Sequence, residues 1–210
     1  MKILIVDDHV VVREGVRRLV GAIAGVVAFE AETPFEALAA FRKERPDVVV
    51  LDINLKGGSG LDVLKRLRAD DPAAKVVVFS MYSDLVYATS AQRAGGLGYV
   101  SKSAPSDELL LAIRKAARGE TYVDRETMAD LGNAAPAGAR KLSTRELEIL
   151  HMLGDGKSLS DIADGLGVAY KTIANTSTRI KEKLGVERTS DLIRFAIETR
   201  GGRLLDRGDL

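Results

Sequence analysis

Short apolar runs alternate with stretches of helical spacing through the first 120 residues. The runs are Ile3–Val6, Val26–Phe29, Val48–Leu51 and Val76–Phe79, with a weaker one around Leu97–Val100. Continuous apolar runs of this length predict strands buried on both faces. Between them lie Val12, Val16, Leu19 and Ile23 within residues 10–24, and Phe35, Leu38 and Phe41 within 34–45. With the segments 61–68, 84–94 and 106–118, these predict amphipathic helices. A β/α alternation repeated five times implies an α/β domain, a doubly wound parallel sheet with helices on each side. Thr33 before Pro34 predicts an N-cap with proline at the first helical position, and Ser106 ahead of Asp107 and Glu108 marks another helix start.

The pattern stops near Gly119. The stretch 131–139 has no period and no large apolar residue after Leu131, so it reads as linker. Downstream come helical segments at 144–153, 160–166, 171–184 and 190–199, with no strand-like run. The second domain is therefore expected to be all-α. Ser143 or Thr144 and Ser160 are candidate helix starts, and Gly154, Gly156, Gly167 and Gly185 candidate ends. The expected organisation is a first domain over 1–120, a linker over 121–140 and a helical domain over 141–203, with a frayed tail from Gly201.

Composition fits two small domains: 210 residues, 46% hydrophobic and 29% charged, supply enough apolar material for packed cores. Lys and Arg number 31 against 30 for Asp and Glu, a net charge of +1. Bulk charge therefore draws the chain neither to nucleic acid nor to membrane, and any DNA contact must use a local patch. The absence of cysteine excludes disulfides, thiolate catalysis and Cys-ligated zinc. Ile3–Val6 is too short for a signal sequence, and no apolar stretch approaches the roughly 20 residues that span a bilayer. The chain reads as soluble and cytoplasmic, with no membrane association.

In an open α/β sheet, functional groups gather at the carboxyl ends of the strands. Here the first run ends in Asp7 and Asp8, the third in Asp52, the fourth in Ser80 and the fifth in Ser101 and Lys102. Carboxylates sharing one pocket repel by roughly 4 kcal/mol per close pair at an effective dielectric of about 20, so a cation must relieve them. All-oxygen ligation suits Mg²⁺ better than zinc. With Mg²⁺ and Lys102 neutralising phosphoryl oxygens, one carboxylate can attack phosphorus and form an acyl phosphate. Asp52, alone at the end of the central run, is the candidate nucleophile. Singly, an Asp-Asp pair is a turn or cap, a loop lysine is solvated, and Ser80 caps the next helix. Together, at four corresponding strand ends, they point to a site.

On Ile5-Val6-Asp7-Asp8-His9, Pro46-Asp47 through Asp52, Ser80 and Gly98-Tyr99-Val100-Ser101-Lys102, residues 1–120 resemble the receiver domain of bacterial response regulators, a (βα)5 flavodoxin-like fold. The resemblance implies that Asp52 accepts phosphate from a sensor histidine kinase. It implies that Asp7 and Asp8 hold Mg²⁺ with Asp52 and the carbonyl of Asn54, and that Lys102 and Ser80 contact the phosphate. Tyr99 is then the aromatic whose rotamer follows Ser80. The loop 54–60 departs from the family: Lys56 stands where proline is common, and Gly57 and Gly58 add backbone freedom. Asn54 and Tyr82 occupy positions that tune phosphoryl lifetime in the family.

In the second domain, Ile162, Ala163 and Leu166, a turn at Gly167, then Ile173 and Ile180 fit two packed helices in helix-turn-helix geometry. The third segment carries Lys171, Arg179, Lys181 and Lys183 against Glu182, an excess of positive charge suited to a DNA groove. A lone basic helix is more often a solvated face. Leu142-Ser143-Thr144-Arg145-Glu146 and Lys171-Thr172-Ile173, however, resemble the four-helix DNA-binding domain of LuxR-type and NarL/FixJ-type regulators. That resemblance implies backbone contacts from Lys171 and Thr172, bases facing Ala174, Asn175 and Thr178, and a two-fold contact through the last helix. Ala174 and Thr176 replace the long polar residue and histidine common there. Asn175 is suited to adenine.

These readings describe a DNA-binding transcriptional response regulator with Mg²⁺ as cofactor. Its expected partners are a sensor histidine kinase, double-stranded DNA and a second copy of itself when phosphorylated. It is not expected to be an enzyme: an aspartyl phosphohydrolase would need a proton-donating acid two residues after the nucleophile, where Asn54 stands. A phosphorylation-independent DNA binder is disfavoured by the intact Asp7, Asp8, Asp52, Ser80 and Lys102.

Overall fold

A computed structural model describes residues 1–81, 85–125, 127–128 and 142–200. The stretch 131–139, Tyr82 and the tail from Gly201 lie outside the described residues. The chain forms two compact units, Met1–Gly132 and Asn133–Leu210.

In the first unit the strands are β1 (Lys2–Val6), β2 (Val27–Ala31), β3 (Val48–Leu51), β4 (Asn54–Leu55), β5 (Gly58–Ser59), β6 (Val76–Ser80), β7 (Gly98–Ser101) and β8 (Tyr122–Val123). The helices are α1 (Val10–Gly21), α2 (Pro34–Glu44), α3 (Gly60–Asp70), α4 (Leu85–Arg93) and α5 (Ser106–Ala117). The main sheet is parallel, in the order β2-β1-β3-β6-β7-β8. Successive residues of a strand face opposite sides. Ile3, Ile5, Val48 and Val50 accordingly pack with Val16, Val20, Leu109 and Ile113 of α1 and α5. On the other face, α2, α3 and α4 are neighbours in turn. Both layers exclude water: Ile3 to Val6 and Val48 to Leu51 are all buried.

Local chemistry sets the boundaries. Thr33 accepts the Glu36 amide at 3.2 Å, with Pro34 opening α2 as its composition predicts. Pro105, not Ser106, is the N-cap of α5, and Asp107 and Glu108 fill the first turn near the helix's positive pole. The loop after Asp52 is a small antiparallel hairpin, Asn54 opposite Ser59 and Leu55 opposite Gly58. Gly57 turns it at φ +85°, a conformation that side chains resist. The freedom that two glycines bring is thus taken up in a defined turn. A sixth strand, β8, falls in the stretch expected to be linker.

The second unit consists of α6 (Thr144–Gly154), α7 (Leu159–Gly165), α8 (Tyr170–Leu184) and α9 (Thr189–Arg200). Ser143 caps α6 in a reciprocal box with Glu146, and Ser158 caps α7 in another with Asp161. The start expected at Ser160 lies two residues earlier because Asp161 reaches back to the Ser158 amide. Leu147, Leu150, Ile162, Ile173, Ile180 and Leu192 are buried. Helix α6 contacts the other three. Gly167, at φ +64°, makes the turn between α7 and α8.

Candidate functional site

Strand register brings the acids together. Val6 pairs with Leu51, and the Asp52 amide donates to the Val6 carbonyl at 2.8 Å, so Asp7 and Asp52 leave adjacent strands at one height. Both are buried, at 2% and 3% exposure. Ligand atoms of Asp7, Asp8, His9 and Asp52 lie within 4.8 Å of one another. Lys102 arrives from β7, two strands beyond β3, its ammonium 6.0 Å from the Phe79 ring centroid. Its Nζ lies 2.6 Å from Asp7 Oδ2 and 2.8 Å from Asp52 Oδ2.

The electrostatics follow from this geometry. Burial pushes the Asp52 carboxyl up to about 6, and the Asp7 charge adds to the rise, against the pull of Lys102 and the Asn54 amide. Burial works against the Lys102 ammonium too, but Asp52 and Asp7 outweigh it and hold its pKa above the usual value. A third carboxylate, Asp8, completes an oxygen-rich cluster with more negative than positive charge. Such a donor set suits a hard divalent ion.

Ser80 is fully buried at the end of β6, and its carbonyl accepts the Lys102 amide at 2.6 Å. Tyr99 is buried at 2% exposure in β7. The Asn54 backbone is placed beside Asp52 by the hairpin.

Three neighbours received no role from the sequence. His9 Nδ1 lies 2.7 Å from Asp8 Oδ1 and 3.3 Å from Asp7 Oδ1, while its amide donates to Asp7 Oδ1 at 2.9 Å. Arg13 donates to the Asp7 carbonyl at 2.7 Å and pairs with Glu30 at 3.3 Å, pinning the turn that carries the acids. Only the position of His9 after the acid pair, and of Arg13 within the first helical turns, could have signalled them. Gly60 is the third: a Cβ there would lie 1.8 Å from the Asp52 carbonyl oxygen. Gly60→Ala must push the chain away from Asp52. It is expected to destabilise the first unit by about 1–3 kcal/mol or more and to slow phosphate incorporation, measured by thermal unfolding and by mass spectrometry with acetyl phosphate.

In the second unit, α8 buries Ile173, Ser177 and Ile180 and turns outward Lys171, Thr172, Asn175, Thr178 and Arg179; Ala174 and Lys181 are half-buried. Lys171, Asn175, Thr178 and Glu182 form one stripe at intervals of four, three and four residues. Lys183 lies off it, donating to Glu146 at 2.6 Å. Burial pushes the Glu146 carboxyl up, but Lys183 and the Ser143 amide outweigh it and hold it below its usual range. The positive charge of this lysine thus serves the packing of α6 on α8. Arg145 likewise binds the buried Glu148 at 2.7 Å.

Comparison with known proteins agrees with both units. Residues 3–114 match the response regulator receiver domain, and residues 140–196 match the luxR family of bacterial regulatory proteins. The chain is 36% identical over 199 residues to the methanol utilization control regulatory protein MoxX of Paracoccus denitrificans, covering 92% of this chain and 89% of that protein. It is 33% identical, over 95% of its length and 98% of the other's, to the oxygen regulatory protein NreC of Staphylococcus aureus strain JH9. Among solved structures, RcsB from Salmonella enterica serovar Typhimurium, bound to promoter P1flhDC in the presence of the phosphomimetic BeF3⁻, aligns with a TM-score of 0.71 at 25% identity. That alignment covers 93% of this chain and 98% of RcsB. Among the described residues, no helix is long and apolar enough to cross a membrane. With these matches spanning both units, the chain belongs to the NarL/FixJ-type response regulators of two-component systems, in which a receiver domain precedes a LuxR-type DNA-binding domain.

Proposed function

We propose that Asp52 is the phosphoacceptor of this regulator and that its phosphorylation by a sensor histidine kinase controls dimerisation and promoter binding. The observation that carries the reading is the convergence of Asp7, Asp8 and Asp52 at matched strand ends, with Lys102 bridging two of them. Asp7, Asp8 and Asp52, with the Asn54 carbonyl, would hold Mg²⁺. When bound, the ion supplies positive charge for the phosphoryl oxygens. An oxygen of Asp52 bonds to phosphorus as the phosphohistidine P–N bond breaks, and the leaving imidazole takes a proton from solvent. Lys102 and Ser80 contact the new phosphoryl group; Ser80 moves toward it and Tyr99 follows. The result is a bias between two states of the receiver, not repeated turnover of a substrate.

In the output domain, α8 enters the major groove of double-stranded DNA. Lys171, Thr172, Arg179 and Lys181 contact phosphates, and Ala174, Asn175 and Thr178 face bases. A homodimer places two such helices about one DNA turn apart. The protein acts in the cytoplasm. The test uses the full chain and duplexes selected by it from a random pool. Acetyl phosphate with Mg²⁺ is expected to raise affinity for the selected sequence at least several-fold, in step with phosphate incorporation at Asp52. Incorporation elsewhere, or affinity unmoved by full incorporation, overturns the proposal.

A further inference from the structure

The sheet edge beyond β7 carries an arrangement that the phosphoacceptor chemistry does not use. In a parallel strand, consecutive amides bond to opposite neighbours. At the end of β7 the two directions are taken by different groups. The Lys102 amide donates inward to the Ser80 carbonyl at 2.6 Å, and the Ser101 amide donates outward to Asp124 Oδ2 at 2.9 Å. Asp124 directly follows β8, which pairs with β7 through Gly98 opposite Tyr122 and Tyr99 opposite Val123. The Asp124 amide donates to the Tyr99 carbonyl at 3.1 Å. Its side chain therefore continues the ladder where the backbone of β8 leaves it.

The same carboxylate holds the residues that follow. Asp124 Oδ1 accepts the Thr127 amide at 3.0 Å, and Oδ2 accepts the Thr127 hydroxyl at 2.9 Å. Asp124 and Thr127 are both fully buried. Outside this pair, Tyr122 donates its hydroxyl to Glu108 of α5, and Arg125 lies 3.4 Å from the same carboxylate. A buried carboxylate with three donors is costly to disturb, because any donor it loses is left without water.

We propose that Asp124 is a positioning residue that locks the Ser101–Lys102 end of β7 to β8 and Thr127, at the start of the segment leading to the DNA-binding unit. Movement at the phosphorylation site is then carried into that segment instead of ending at the sheet edge. The inference rests on the phosphorylation switch proposed above and adds its exit route. A simple helix cap would need only the bonds to Thr127; the bond to Ser101 is what joins the two elements.

Asp124→Ser separates the two roles. A serine oxygen can still accept the Thr127 amide as a cap, but it sits one bond closer to the backbone and falls short of Ser101. Asp124→Asn keeps the shape and leaves one acceptor oxygen for three donors. The experiment is hydrogen exchange of the full chain with Mg²⁺, with and without beryllofluoride, and with beryllofluoride binding read by ¹⁹F NMR. In the wild type, peptides covering 97–102 and 121–128 are expected to change together on addition of beryllofluoride. In both variants, with beryllofluoride still bound, 97–102 changes and 121–128 does not, and the Ser101 amide exchanges roughly tenfold faster or more. Variants that transmit the change to 121–128 as the wild type does overturn the lock. A wild type in which bound beryllofluoride leaves 97–102 unchanged overturns the switch itself, and the lock with it.

Discussion

Asp52→Asn is expected to abolish Mg²⁺-dependent phosphate incorporation from acetyl phosphate and to make the metal-free receiver more stable at neutral pH. The first effect follows from removing the strand-end carboxylate at the centre of the sheet, which Lys102 holds on one side and the Asn54 amide on another. The second follows from burial. The folded chain raises the Asp52 pKa from 3.8 to about 6, so it holds the proton more tightly than the unfolded chain does. The stability this lends is complete below about pH 4 and is lost as pH rises through about 6. The difference between 3.8 and about 6 corresponds to about 3 kcal/mol. The amide variant has no proton to lose. Its advantage over the wild type, measured by urea unfolding in chelator, should therefore grow between about pH 4 and 6 and then level off. Saturating Mg²⁺ should narrow it. An advantage independent of pH would show that the burial of Asp52 is not its source.

Lys102→Met has the opposite sign. Methionine keeps an unbranched stem beside Phe79 but removes the charge that lies within 2.8 Å of both Asp52 and Asp7. Two buried carboxylates then face each other without a counter-charge, a loss of about 3–5 kcal/mol at neutral pH. The loss shrinks as pH falls toward about 6, because Asp52, no longer held down by Lys102, takes up its proton more readily than in the wild type, and Mg²⁺ recovers part of it. Exchange of the β1 and β3 amides reads this in the receiver independently of the helical unit. A variant as stable as the wild type in chelator at neutral pH would mean that Lys102 does not compensate these acids.

The fold was legible wherever burial was two-sided. The runs at Ile3, Val48 and Val76 are strands because both faces are covered by helices, which demands apolar residues at every position. At the sheet margin this demand weakens. Strand β2 runs through Glu30 to Ala31 with a half-exposed pattern, so its apolar run stops short of its end. Strand β8 has only two residues, too few for any period, and the hairpin after Asp52 is likewise two residues against two. Helix starts were misplaced where the deciding contact is a side chain reaching backward, as Asp161 does to Ser158. Of the candidate site, the acids and Lys102 could be read because parallel strands end at one level. The contributions of Arg13 and Gly60 could not, since one depends on a side chain crossing to a main-chain carbonyl and the other on an absent Cβ.

The brevity of β8 also bears on solubility. A receiver that shifts its outermost long strand risks exposing unpaired amides on which a foreign strand could dock and seed aggregation. Two residues of backbone offer little template, and the next outward amide, that of Ser101, already has a carboxylate as its acceptor. Beyond the end of β8, the margin of β7 is thus closed to strand addition by a side chain rather than by another strand.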